Sequence, residues 1–136
     1  TFEQLWVIED WELARQILVG APEFEEFREE LEYKFNIDLE ILEDIVDLPD
    51  AGLRELQEKI LTSVESFTNR FNNNLFDKIC IKWDYCKQKN SRKSELAEYI
   101  ASAIDIAMMG GALTLAIVLM KREYLDKLCH CPKSYI

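Results

Sequence analysis

The chain has 136 residues, 49% hydrophobic and 31% charged, with a net charge of −10. That is enough to bury a core in one domain without metal or disulfide staples, and too apolar for a disordered segment. Residues 1–60 hold 18 acidic and 5 basic side chains, a net of −13, and residues 61–136 hold 8 and 11, a net of +3; the acidic half repels phosphates, which argues against nucleic acid as a partner.

The uneven charge suits two halves packed on each other, or an acidic face that meets a cationic partner. Thr1 to Gly20 carries four acids and no basic stretch, so no signal peptide is expected. The first residue is not Met, which fits removal of an initiator Met or a piece of a longer protein. Four cysteines without a secretory signal are expected to be reduced thiols in the cytoplasm.

Phe2 to Val19 reads as helix in one or two pieces. Asp10 is placed to cap a helix over Trp11–Val19 that turns Ala14, Ile17 and Leu18 inward. Gly20 marks its stop, and Pro22 suits the first turn of the next helix. Trp6 and Trp11 are large aromatics near an end, read as core or as anchors for a partner.

Pro22 to Phe35 is the clearest amphipathic helix. Phe24, Phe27, Leu31 and Phe35 share one face, and Glu23, Glu25, Glu26, Glu29, Glu30 and Glu32 fill the rest. Asp38 is placed to cap a third helix, Leu39–Asp47, with Ile41, Leu42 and Ile45 inward; Pro49 ends it. Asp50 is placed to cap a fourth helix of about 22 residues that keeps Leu53, Leu56, Ile60, Val64, Phe67 and Phe71 on one side until Asn72-Asn73-Asn74.

Leu75 to Lys87 reads as a further helix rather than a lone strand. Gln88 to Lys93 is a basic loop, with Ser91 or Ser94 capping the helix that follows. Ala97 to Met120 is the most apolar stretch. After Glu98 its only charge is Asp105, and Gly110-Gly111 divides it into helices of about 92–109 and 112–129. The charge-free part, Ile106 to Met120, spans only about 22 Å as a helix, short of the roughly 30 Å of a bilayer core. It is therefore read as the buried centre of the fold, with a membrane-associated protein as the alternative. The expectation is a single all-α domain, residues 1–131. It is a compact bundle of roughly five to seven helices around a central apolar helix pair, about 92–129, with residues 132–136 as a tail.

Three constellations could carry chemistry. Glu25, Glu26 and Glu29 fall within one helical turn, followed by Glu40 and Glu43; facing acids of this kind can hold Mg²⁺ through oxygen ligands. Over about 20 residues this resembles the all-α nucleotide pyrophosphatases of the MazG type, whose pattern is EExxE and then ExxD on the next helix. The resemblance implies a Mg²⁺-dependent nucleotide hydrolase, although Glu43 stands where that family has Asp. A solvated acidic face is the preferred reading, with no metal and no cofactor.

Cys80, Cys86, Cys129, His130 and Cys131 are five possible zinc ligands without the usual C-x₂-C spacing, so free cysteines and a tail pair are preferred. Lys78, Lys82, Lys87, Lys89, Arg92 and Lys93 surround Trp83 and Tyr85, a pattern diluted by Asp77 and Asp84. No triad, phosphate loop or dinucleotide fingerprint is present. The reading leans away from an enzyme and toward a protein-interaction or regulatory module. Its partner is a protein, or a second copy of the chain, and the candidate contacts are Trp6, Trp11, Glu26 and Glu30.

Overall fold

Apolar residues at three- and four-residue spacing make this chain a succession of helices that each bury one face. A computed structural model describes residues 1–70, 72–104 and 111–131. Its α-helices are α1 (Phe2–Trp6), α2 (Asp10–Gly20), α3 (Glu25–Phe35), α4 (Leu42–Val46), α5 (Asp50–Asn69), α6 (Asn72–Leu75), α7 (Tyr85–Gln88), α8 (Lys93–Ala103), α9 (Gly111–Lys121) and α10 (Tyr124–Cys129). A 3₁₀ turn, Pro22–Phe24, precedes α3, and a π-helical segment, Phe76–Lys82, continues α6. No strand occurs among the described residues.

The apolar stretch is the centre, as expected. Leu115 to Leu119 on α9 are all 0–2% exposed, because a helix apolar on every side can only sit inside. It packs against α2 on one side and α8 on the other. Two apolar clusters result. The first gathers Leu13, Ile17 and Leu18 of α2, Phe24, Leu31, Ile45, and Leu56, Ile60, Val64 and Phe67 of α5 onto Leu115, Ile117, Val118 and Leu119. The second is smaller: Leu75, Ile79, Tyr85, Leu96, Ile100, Ala103, Ala116 and Leu125. No helix among the described residues is long and apolar enough to cross a membrane.

The chain divides more finely than expected, and each break has a local cause. The third helix begins at Leu42, not Leu39. Asp38 Oδ1 accepts from the Glu40 N–H at 2.9 Å, folding the cap residue into a turn of its own. Glu32 accepts from the Leu39 N–H at 2.8 Å, and Arg15 donates to the Leu39 carbonyl at 2.6 Å, so that peptide is satisfied without a helix. Ile45 is buried as expected, but Ile41, ahead of the helix, and Leu42, its first residue, are 43% and 41% exposed.

Asn72 to Asn74 lie in α6 rather than ending a helix; α5 stops at Asn69, and Phe71 is outside the described residues. The helix expected over 75–87 is interrupted at Asp84, whose backbone is left-handed (φ 57°). α8 begins after Arg92, with neither Ser91 nor Ser94 capping it. The last long helix breaks at Glu123, also left-handed (φ 55°), so α9 ends at Lys121. Asp105, Gly110 and the 132–136 tail are outside the described residues.

Candidate functional site

The cysteines are the first correction. Instead of reduced thiols, Cys80 pairs with Cys129 and Cys86 with Cys131, and no cysteine is free. Both bridges tie the π-helical segment and α7 to the end of α10. His130, between two bridged cysteines, is exposed and left-handed. The sulfur of these residues is thus committed to covalent bonds rather than offered to zinc.

The acids of the hydrolase resemblance are spread out. Glu25, Glu26 and Glu29 are exposed on α3, and Glu43 is exposed on α4. Glu40 lies ahead of α4 rather than on it and meets Arg28 at 3.1 Å. Arg28 also meets Glu32, so a guanidinium occupies the space between the carboxylates of α3 and of the 36–41 connection. Burial lowers the Arg28 pKa, but Glu32 and Glu40 outweigh it and hold the group above its ordinary value. Among the described residues no three His, Cys, Asp or Glu side chains come together as a metal site.

The expected partner contacts do not share one surface. Trp6 is half-buried beside Lys93 and Lys121, whose ammonium groups lie 4.7 and 5.1 Å from its ring centre. Glu30 lines a shallow hollow between α3 and α5 with Phe27 and Lys59. Glu26 is exposed on α3. The basic patch is partly neutralised from within: Lys82 meets Asp77 at 3.2 Å and Lys87 meets Asp84 at 3.5 Å. Its Trp83 ring stacks on Tyr99 at 3.9 Å.

Trp11 belongs to an apolar groove of about 340 Å³ lined by Ile8, Glu9, Trp11, Glu12, Leu42 and Val46. One wall is the α1–α2 junction. Lys121, at the end of α9, donates to the carbonyl oxygens of Trp6 and Ile8 at 2.5 and 2.6 Å and so fixes this turn from the core side. Ile8 and Trp11 pack onto the first cluster, and the indole Nε1 donates to Glu9 Oε2 at 2.5 Å.

The other wall is α4. Leu42 and Val46 are four apart, hence on one face. Buried Ile45 pins the helix while Leu42 and Val46 stay 41% and 53% exposed. Glu12 is held by Arg15 through two nitrogens, at 2.9 and 2.6 Å. This hydrogen bond and the Glu12 charge raise the Arg15 pKa against its burial. The lining holds two acids, Glu9 and Glu12, and no Lys or Arg.

Only Trp11 among the wall residues was marked by its sequence as a contact. The sequence places Leu42 in the core, but the Asp38, Glu32 and Arg15 contacts hold residues 38–40 outside the helix and leave Leu42 at its first turn. Comparisons with protein-family models, with known proteins and with solved structures find no match.

Proposed function

We propose that this chain is a non-enzymatic protein-interaction module whose acidic groove receives a basic, amphipathic segment of a partner. One observation carries the reading: Trp11, Leu42 and Val46 present apolar surface in an open groove whose two walls have no basic residue of their own except Arg15, already held by Glu12. An apolar strip in a negative field selects a segment with apolar anchors and Lys or Arg flanks. The two disulfides favour an oxidising compartment over the cytoplasmic setting expected from the sequence.

The test uses a helical probe peptide with Leu on one face and Lys on the other, followed by fluorescence anisotropy. Binding is expected with a Kd of about 1–100 µM, weakening about tenfold or more between about 0.05 and 0.5 M salt. Leu42→Asp should weaken it by at least about tenfold, the equivalent of about 1.4 kcal/mol. Equal binding by Leu42→Asp, or no binding by the native chain, would overturn the reading.

A further inference from the structure

Eight large apolar side chains are exposed among the described residues, and seven of them fall in two places. Leu42 and Val46 line the acidic groove, and Val7 and Ile41 are the chain neighbours of its lining residues Ile8 and Leu42. Phe76 and Ile81, at 39% and 60%, lie on the π-helical segment, and Tyr99 is stacked on Trp83 at its end. The remaining one is Tyr33.

The π-helical segment has a geometry that makes a ridge. Its hydrogen bonds run from i to i+5, so residues five apart fall on neighbouring turns of one side. Asp77 and Lys82, five apart, form an ion pair at 3.2 Å. Phe76 and Ile81 are also five apart and both exposed, and make a two-residue apolar ridge. Ile79 points the other way, fully buried in the second cluster, and Cys80 anchors the segment to α10. Along the segment and α7, residues 76–88, Lys78, Lys82 and Lys87 stand against Asp77 and Asp84, a net of +1.

We infer that the occupant of the acidic groove is the π-helical ridge of a second copy of this chain, with Phe76 and Ile81 seated against Trp11, Leu42 and Val46. This rests on the groove reading above and names its partner. The two surfaces match in kind, each a short apolar strip, and are opposite in charge. Within one chain they stay apart, since both are exposed there. One copy gives its ridge and keeps its groove, so the contact is head-to-tail and propagates.

The experiment is sedimentation velocity on the native, oxidised chain and on two variants, Ile81→Asp in the ridge and Leu42→Asp in the groove. Both positions are on the surface, so folding is retained and is checked by circular dichroism. The native chain should grow in mass with concentration, with Kd of about 1 µM to 1 mM, and revert toward monomer at about 0.5 M salt. Each variant alone should be a monomer. Mixed in equal amounts, they should form a dimer, because Ile81→Asp keeps a groove and Leu42→Asp keeps a ridge.

A native chain that stays monomeric, or variants that fail to combine, would overturn the inference. The probe peptide separates the two proposals. If Ile81→Asp binds it in a salt-dependent way while the native chain stays monomeric, the self-association fails and the groove stands. If neither binds, both fail.

Discussion

The two apolar clusters, on either side of α9, are held by different means. The first draws on α2, α3, α4, α5 and one side of α9, with long-range contacts among many large side chains. No disulfide touches it. The second is built from short pieces: the π-helical segment, the four residues of α7 and the six of α10, laid on α8 and α9. Among the described residues, three of the four left-handed non-glycine positions, Asp84, Glu123 and His130, sit at its joints, where each costs of order 1 kcal/mol or more. Both disulfides are there. A small core of short helices cannot offset the entropy of ordering itself, so it is cross-linked; the larger one is not.

The largest expected effect breaks this comparison at the disulfides. The bridges close separations of 49 and 45 residues. Chain-entropy arguments give about 4 kcal/mol for either alone. The second adds only about 2.5 kcal/mol, because with the first in place its loop runs about eight residues, through Cys80–Cys86 and Cys129–Cys131. Together they are comparable to the whole stability of an ordinary domain. Reduction, or the change of all four cysteines to Ser, should therefore release α7, α10 and the π-helical segment. Amide hydrogen exchange should rise there by orders of magnitude while α2 and α5 keep most of their protection. Uniform loss across both clusters would show that they are one cooperative unit; an unchanged pattern would show that the bridges carry no weight.

The next effect is specific to the first cluster. Phe24 is fully buried and its ring lies 4.1 Å from that of Phe67. Phe24→Ala removes that pair and leaves a cavity between α3 and α5, at a cost of about 3–5 kcal/mol. Denaturant unfolding should show the loss, and the protected amides of α2 and α5 should be the ones that open. With the bridges intact, α7 and α10 should retain local order through their covalent ties. A loss below about 1 kcal/mol would mean that the first cluster is not packed as tightly as its burial indicates.

Much of the first cluster is legible in the sequence, and little of the second. Periodicity marks Ala14, Ile17, Leu18, Leu56, Ile60, Val64 and Phe67 as inward, and all are buried. The uncharged run after Ile106 marks the centre, and α9 is there. These signals are local and repeat over several turns, so one misplaced residue does not erase them. The second cluster rests on features that spacing does not encode. A π-helical register turns Phe76 and Ile81 outward and brings Asp77 to Lys82. The cysteine pairing depends on where α10 lands, which follows from the break at Glu123.

The groove is half legible for the same reason. Trp11 stands out as a bulky aromatic near the chain start, but Leu42 looks like core. Its exposure is decided by the Leu39 peptide, held by Glu32 and Arg15 from two other helices. A contact across 24 residues, Arg15 to Leu39, leaves no periodic trace.

The smallest expected effect sharpens the comparison by pH, and it again separates the clusters. Tyr85, in the second cluster, is 6% exposed. Burial raises its phenol above the ordinary value of 10.0, and the Asp126 and Glu123 carboxylates push it further the same way. A group held protonated more firmly when folded gives stability that is complete below its unfolded pKa. That stability is lost as pH rises, because the unfolded chain releases its proton first. The fold should thus weaken upward from about pH 10. Tyr124 is raised by burial and then by Glu65, so it contributes a slope of the same sign. Tyr85→Phe has no proton to lose. Its denaturant midpoint should therefore fall less steeply than that of the native chain between about pH 9 and pH 11, with part of the slope remaining from Tyr124. The phenolate absorbance of the native chain should also show one tyrosine that ionises only on unfolding. Parallel pH profiles for the two proteins would mean that the Tyr85 hydroxyl is solvated, and that the second cluster is more open than its cross-links make it.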